Sequence, residues 1–182
     1  QYQQARQIKA NMVIVIERLL SFVVNTKNVY GYKLERQTVK DTILATSSIY
    51  SYTYPDTGKV YQLINSVKKY VKDQNGIQVN NPMLNISKDP SGRYQAMVAI
   101  PINEDIKPDK NIVINHMVAG NILVAEIKGG PNRIAEGFKQ MKTYMKDFKL
   151  VSPAMPFESL VTDRSSEPDT SKWITRIYYP IL

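Results

Sequence analysis

The sequence predicts an α+β fold made of two copies of one β-α-β-β unit, preceded by an N-terminal helix. Three observations carry that prediction. The run Gly120-Asn-Ile-Leu-Val-Ala-Glu-Ile-Lys-Gly-Gly-Pro131 is β-rich and ends in a Gly-Gly-Pro break. Behind it Ile134, Phe138, Met141, Met145 and Phe148 recur at spacings of four and three, the apolar stripe of an amphipathic helix. The first half repeats the pattern: Val60, Ile64, Val67 and Val71 match Ile134, Phe138, Met141 and Met145 at an offset of 74 residues, as Tyr70-Val-Lys-Asp73 matches Tyr144-Met-Lys-Asp147. The closing strands match at an offset of 79, Tyr94 with Trp173 and Ile100-Pro-Ile102 with Tyr179-Pro-Ile181. So ordered a set of matches marks an internal duplication.

Two such units about a pseudo-twofold form an antiparallel-rich sheet with both helices on one face and a ligand groove on the other. The halves run over about 30–102 and 111–182, joined by the polar segment 103–111. A duplication within 182 residues favours one pseudo-symmetric domain, 27–182, over two.

Residues 1–26 stand apart as an amphipathic helix or linker. Ile8, Met12, Val15, Leu19 and Phe22 form one stripe, which Val13, Ile16, Leu20 and Val23 widen. Glu17 and Arg18 interrupt the apolar run, which is too short to span a bilayer. The chain opens at Gln1 rather than Met, so an upstream domain or membrane anchor is expected, and packing of the stripe on a second copy is compatible with it. Tyr30 to Tyr54 is predicted extended, with a break near Gln37-Thr38. Tyr54-Pro-Asp-Thr-Gly58 is a turn opening the first duplicated helix, and Asn75-Gly76 ends it. Pro82 to Ser87 and Arg93 to Ile102 are strands around the turn Asp89-Pro-Ser-Gly92, and the second half follows the same plan.

Composition excludes several functions. Without cysteine there are no disulfides or thiolate metal sites, and the lone His116 has no companion ligands, so no metal is expected. The net charge of +8 resides largely in lysines spaced along the two helices, the pattern of a solvated face. With no recognisable nucleic-acid motif, direct nucleic-acid contact is not expected. The compartment is left open.

The second half, Ile122-Leu-Val-Ala-Glu-Ile-Lys-Gly-Gly-Pro131, Pro156-Phe-Glu-Ser-Leu-Val-Thr-Asp163 and Trp173-Ile-Thr-Arg-Ile-Tyr-Tyr-Pro-Ile181, resembles the GyrI-like small-molecule-binding domain, the effector-binding domain of bacterial transcription activators. The resemblance covers about Tyr30 to Leu182. It implies a non-enzymatic sensor of apolar or lipophilic-cation compounds, without cofactor, in a larger regulatory or membrane-tethered protein. It also implies that Glu158 lies at the groove floor. Where relatives often have tyrosine two positions later, this chain has Leu160. Some relatives resemble hydrolases, for which Glu158 would be the acid–base group. A SOUL-type haem protein is the other alternative, with His116 a poor axial ligand.

Strand alternation puts Glu158 and Leu160 on one face and Phe157, Ser159 and Val161 on the other. Phe157 and Val161 suit the helix-packed face, which turns Glu158 to the groove; pairing with Arg176 is the structural alternative. Trp173 and Tyr94 are equivalent aromatics suited to the groove walls. Leu84 duplicates Glu158, so the groove is expected to be acidic on one side and apolar on the other.

Overall fold

The computed structural model describes residues 2–39, 42–117 and 119–182. In chain order the elements are α1 (Tyr2–Val24), α2 (Thr26–Tyr30), β1 (Leu34–Val39), β2 (Thr42–Ser51), α3 (Thr57–Asp73), β3 (Met83–Lys88), β4 (Tyr94–Ile102), β5 (Val113–Met117), β6 (Gly120–Lys128), α4 (Pro131–Asp147), β7 (Phe157–Leu160) and β8 (Ile174–Ile181), with a 3-10 turn at Thr170–Lys172. The eight strands form one curled sheet in the order β1-β6-β8-β7-β3-β4-β2-β5, and every named pairing is antiparallel.

That order is symmetric about the seam between β7 and β3, as a duplication requires. The symmetry includes an exchange of edges: β1 pairs with β6 of the other half, and β5 pairs with β2. The interruption expected near Gln37-Thr38 comes slightly later: β1 runs through both residues to Val39, paired with β6, and β2 starts at Thr42, paired with β4 and β5.

The helix stripes behave as the periodicity predicts. Val60, Ile64, Val67 and Val71 are buried on one half, and Ile134, Met141 and Met145 on the other, with Phe138 partly buried. Each helix covers its own half, so the apolar core divides into two clusters, one under α3 and one under α4. The seam between them is left uncovered by either helix. Asp56 caps α3 by accepting from the Lys59 N–H at 2.8 Å, whereas α4 starts on Pro131 with no side-chain cap.

Tyr30 is not extended. It ends α2, where Gly31 at φ 75° turns the chain. Its hydroxyl donates to Asp147 at 2.9 Å and its ring meets Tyr144 edge-on at 5.3 Å, which pins α2 to the end of α4. By contrast α1 has no buried residue; Ile8, Met12, Val15, Leu19 and Phe22 are all exposed. Truncation before Asn25 is therefore expected to change the unfolding free energy of the isolated chain by less than about 0.5 kcal/mol, as for other changes that touch no core. A larger loss in urea titration would mean that a second copy or an unseen segment covers the stripe. Among the described residues no helix is long and apolar enough to cross a membrane.

Candidate functional site

The uncovered seam is where three of the five predicted site residues, Leu84, Glu158 and Trp173, come together. Leu84 on β3 and Glu158 on β7 are direct cross-strand partners, so the two duplicated positions face each other across the pseudo-twofold. Above them α3 and α4 stand apart and leave a cavity of about 370 Å³. Val60 and Tyr61 line it from α3, Ile134 and Phe138 from α4, with Leu84, Glu158, Trp173 and Tyr179 from the sheet side.

This placement corrects the side of the sheet assigned to Glu158. Glu158 pairs with Ile177 and Leu160 with Thr175, and Ile177 belongs to the core under α4, so both point toward the helices. Phe157 faces the other way and stacks on Tyr178 at 5.0 Å. Hydrophobicity could not separate the two faces here, because each face of β7 carries one apolar and one polar residue. The open face does carry a cavity of its own, of about 720 Å³, but Glu158 is not on it.

Glu158 is also not paired with Arg176. Strand alternation places Arg176 on the open face, where it donates to Glu126 at 3.0 Å. The partner of Glu158 is Arg164, from the loop after β7. One terminal guanidinium nitrogen of Arg164 donates to the carboxylate at 2.7 Å and to the Thr175 hydroxyl at 2.8 Å. The guanidinium lies 4.9 Å from the centre of the Trp173 ring. Both side chains are largely withdrawn from water, at 10% exposure for Arg164 and 15% for Glu158. The backbone holds the arrangement as well: the Arg164 N–H donates to the Tyr61 hydroxyl at 2.7 Å, and the Trp173 indole N–H donates to the Glu167 carbonyl at 2.8 Å.

Trp173 lines this helix-side cavity rather than a groove on the open face. Tyr94 does not line it; it packs edge-on behind Tyr54 at 5.5 Å, and Tyr54 takes the wall position. Leu160 is buried in the core under α3 rather than lining the cavity. Burial raises the Tyr54 phenol pKa, and the charge of Glu158 adds to the effect; burial also raises Tyr61 and Tyr179. The three phenols therefore remain neutral through the physiological range. Lys142 is the other charged residue on the lining beside the Glu158–Arg164 pair. Sequence reasoning missed Arg164; its signal was its position six residues beyond Glu158, across a turn that brings it back over the strand.

His116, the residue weighed for haem, lies on β5 at the lining of the open-face cavity and contacts Asp105 at 3.1 Å. Among the described residues no cluster of side chains could hold a metal ion.

Comparison with known proteins places this geometry in context. A family model described as the GyrI-like small molecule binding domain matches residues 47–182. No curated protein matches the chain. Among solved structures, the C-terminal domain of EcmrR is similar with a TM-score of 0.69 at 16% identity, covering 83% of this chain and 98% of that one. EcmrR in its complex with DNA is similar with a TM-score of 0.71 at 16% identity, over 98% of this chain and 68% of that one, a span that takes in α1. SAV2435 bound to tetraphenylphosphonium is similar with a TM-score of 0.53 at 15% identity, over 82% of this chain and 93% of that one. At these identities the likeness is one of fold.

Proposed function

This chain belongs to the GyrI-like small-molecule-binding family, and on that premise we propose that it is a non-enzymatic sensor whose cleft between α3 and α4 takes lipophilic cations. One observation carries the reading: the cleft already holds a cation, its own. The Arg164 guanidinium sits between the Glu158 carboxylate and the Trp173 ring, the two groups that would recognise a positively charged ligand. A cationic ligand enters by taking the place of Arg164, which swings out with its loop, while apolar contacts with Phe138, Tyr54 and Tyr179 supply most of the binding. The tetraphenylphosphonium bound to SAV2435, a protein of the same fold, supports this choice of ligand class.

Displacement also gives a reason for selectivity. A small hydrated cation offers no apolar area to offset separating a buried ion pair, whereas an aryl-substituted cation does. Against hydrolysis, Arg164 engages the Glu158 carboxylate that an acid–base role would need free. The resemblance in fold to a regulator solved with DNA supports a place for this chain as the sensing part of a larger regulatory protein.

The test is Glu158→Gln. Removing the charge while keeping the shape is expected to weaken tetraphenylphosphonium by about 1–3 kcal/mol, the scale of a charge-assisted contact, and to leave tetraphenylmethane-like neutral analogues little changed. Trp173 is the only tryptophan, so its fluorescence reports occupancy of the cleft directly. Equal affinity of the variant for the cation would place the site elsewhere.

A further inference from the structure

The open face of the sheet is not built as a solvated face. An antiparallel sheet with one face in water alternates apolar residues inward with polar residues outward. Four strands here keep that rule at one end and break it at the other. Toward one end the outward positions are polar: Ser48 accepts from Gln95 at 3.2 Å, and Glu126 pairs with Arg176 at 3.0 Å. Toward the other end the same face of the same strands carries Leu44 on β2, Met97 and Ala99 on β4, Ile122 on β6 and Pro180 on β8.

The segment after α4 turns this apolar end into a cavity. Lys149 adopts φ 53°, which reverses the chain at the helix end, and residues 150–156 then cross to the open face. The segment is tied down by the Leu182 N–H donating to the Val151 carbonyl at 2.9 Å and by the Asn85 amide donating to the Pro156 carbonyl at 2.7 Å. Pro153, Ala154 and Met155 thereby wall a space of about 720 Å³. That lies within the range of about 300–1,000 Å³ typical of small-molecule sites.

Two features of the lining define what fits. None of its described side chains is an aspartate, glutamate, lysine or arginine, in a chain with 40 such residues; its polar groups are amides, one hydroxyl and His116. Four of the chain's seven methionines, Met83, Met97, Met117 and Met155, line it. Thioether side chains are flexible and polarizable, and they adapt to apolar ligands of differing shape. We infer that the open face is a second ligand site, independent of Glu158, that takes a neutral, lipid-like molecule such as a long-chain alcohol. An ionic ligand would lose its hydration there with no aspartate, glutamate, lysine or arginine side chain on the lining to replace it.

The neutral dye N-phenyl-1-naphthylamine, which brightens on leaving water, is a suitable probe for the intact chain. It is expected to bind once at this site, to be displaced by 1-dodecanol, and not to be displaced by tetraphenylphosphonium. Met97→Glu, which places a carboxylate in the cavity, should weaken the dye at least about tenfold, or 1.4 kcal/mol. Met97→Leu should retain binding and Glu158→Gln should leave it unchanged. Circular dichroism checks the fold of Met97→Glu; should that variant unfold, Leu44→Gln takes its place with the same expected loss. Three outcomes overturn the inference: dye affinity insensitive to both variants, displacement by tetraphenylphosphonium with loss in Glu158→Gln, or light scattering in which Met97→Glu converts a dimer to a monomer. The second puts the dye in the helix-side cleft, and the third makes the face an interface between copies.

Discussion

Arg164→Met is expected to destabilise the protein by about 3 kcal/mol and at the same time to tighten its binding of lipophilic cations. The two effects have one cause. Methionine keeps an apolar stem against Trp173 but leaves Glu158 as a largely buried carboxylate without a counter-charge. The Thr175 hydroxyl, on a fully buried residue, loses its donor as well. Losing one member of a buried pair typically costs about 3–5 kcal/mol, and the cavity beside Glu158 puts this case at the low end because water can reach it. A cationic ligand then no longer has to separate an ion pair and restores the missing charge on binding.

The melting temperature of Arg164→Met should therefore rise more on adding tetraphenylphosphonium than that of the native chain. Adding Glu158→Gln should recover part of the lost stability, so that the double variant costs less than the sum of the singles. A variant as stable as the native chain would mean that the ion pair contributes nothing. Unchanged cation affinity would mean that Arg164 does not occupy the ligand's place.

How much of this could be read from residues alone depends on what carries the signal. The duplication and the helix stripes were legible because period 3.6 repeats over seventeen-residue helices and survives burial: the eight matched positions all lie on the core side, Phe138 only in part. The edge exchange was not legible. β1 and β5 are short, and no local property of either says which half's edge it will join. Leu84 and Glu158 were legible as duplicates, and the seam brings them face to face. The side on which they lie was not, since period-2 alternation fixes which residues share a face but not which face is covered. On β7, with Phe157 and Leu160 on opposite sides, apolarity points both ways. Arg164 escaped because its contact with Glu158 is made by a loop folding back, and loops carry no period from which to predict a contact. Tyr94 was matched to Trp173 by offset, but the longer first-half loop inserts Tyr54 in front of it.

The largest purely steric effect is expected at Gly137. It sits in the middle of α4, where glycine weakens a helix by about 1 kcal/mol relative to alanine, so its presence calls for a packing reason. A Cβ there would lie 2.7 Å from the end of Ile127 and 3.0 Å from that of Ile177, both fully buried. The glycine lets α4 settle close onto β6 and β8. Gly137→Leu should push the helix outward and destabilise by about 3 kcal/mol, the upper range for overpacking a tight core. Because Ile134 and Phe138 flank this position and line the cleft, the shift should also weaken ligand binding there, read by Trp173 fluorescence. Ile127→Ala alone should cost about 2–5 kcal/mol through the cavity it leaves. Combined with Gly137→Leu, the new side chain fills that space, so the double variant should be more stable than the sum of the two losses predicts, by about 1 kcal/mol or more. Strict additivity in urea unfolding would show that α4 does not rest on Ile127, and Gly137→Leu would then have to act through the helix alone.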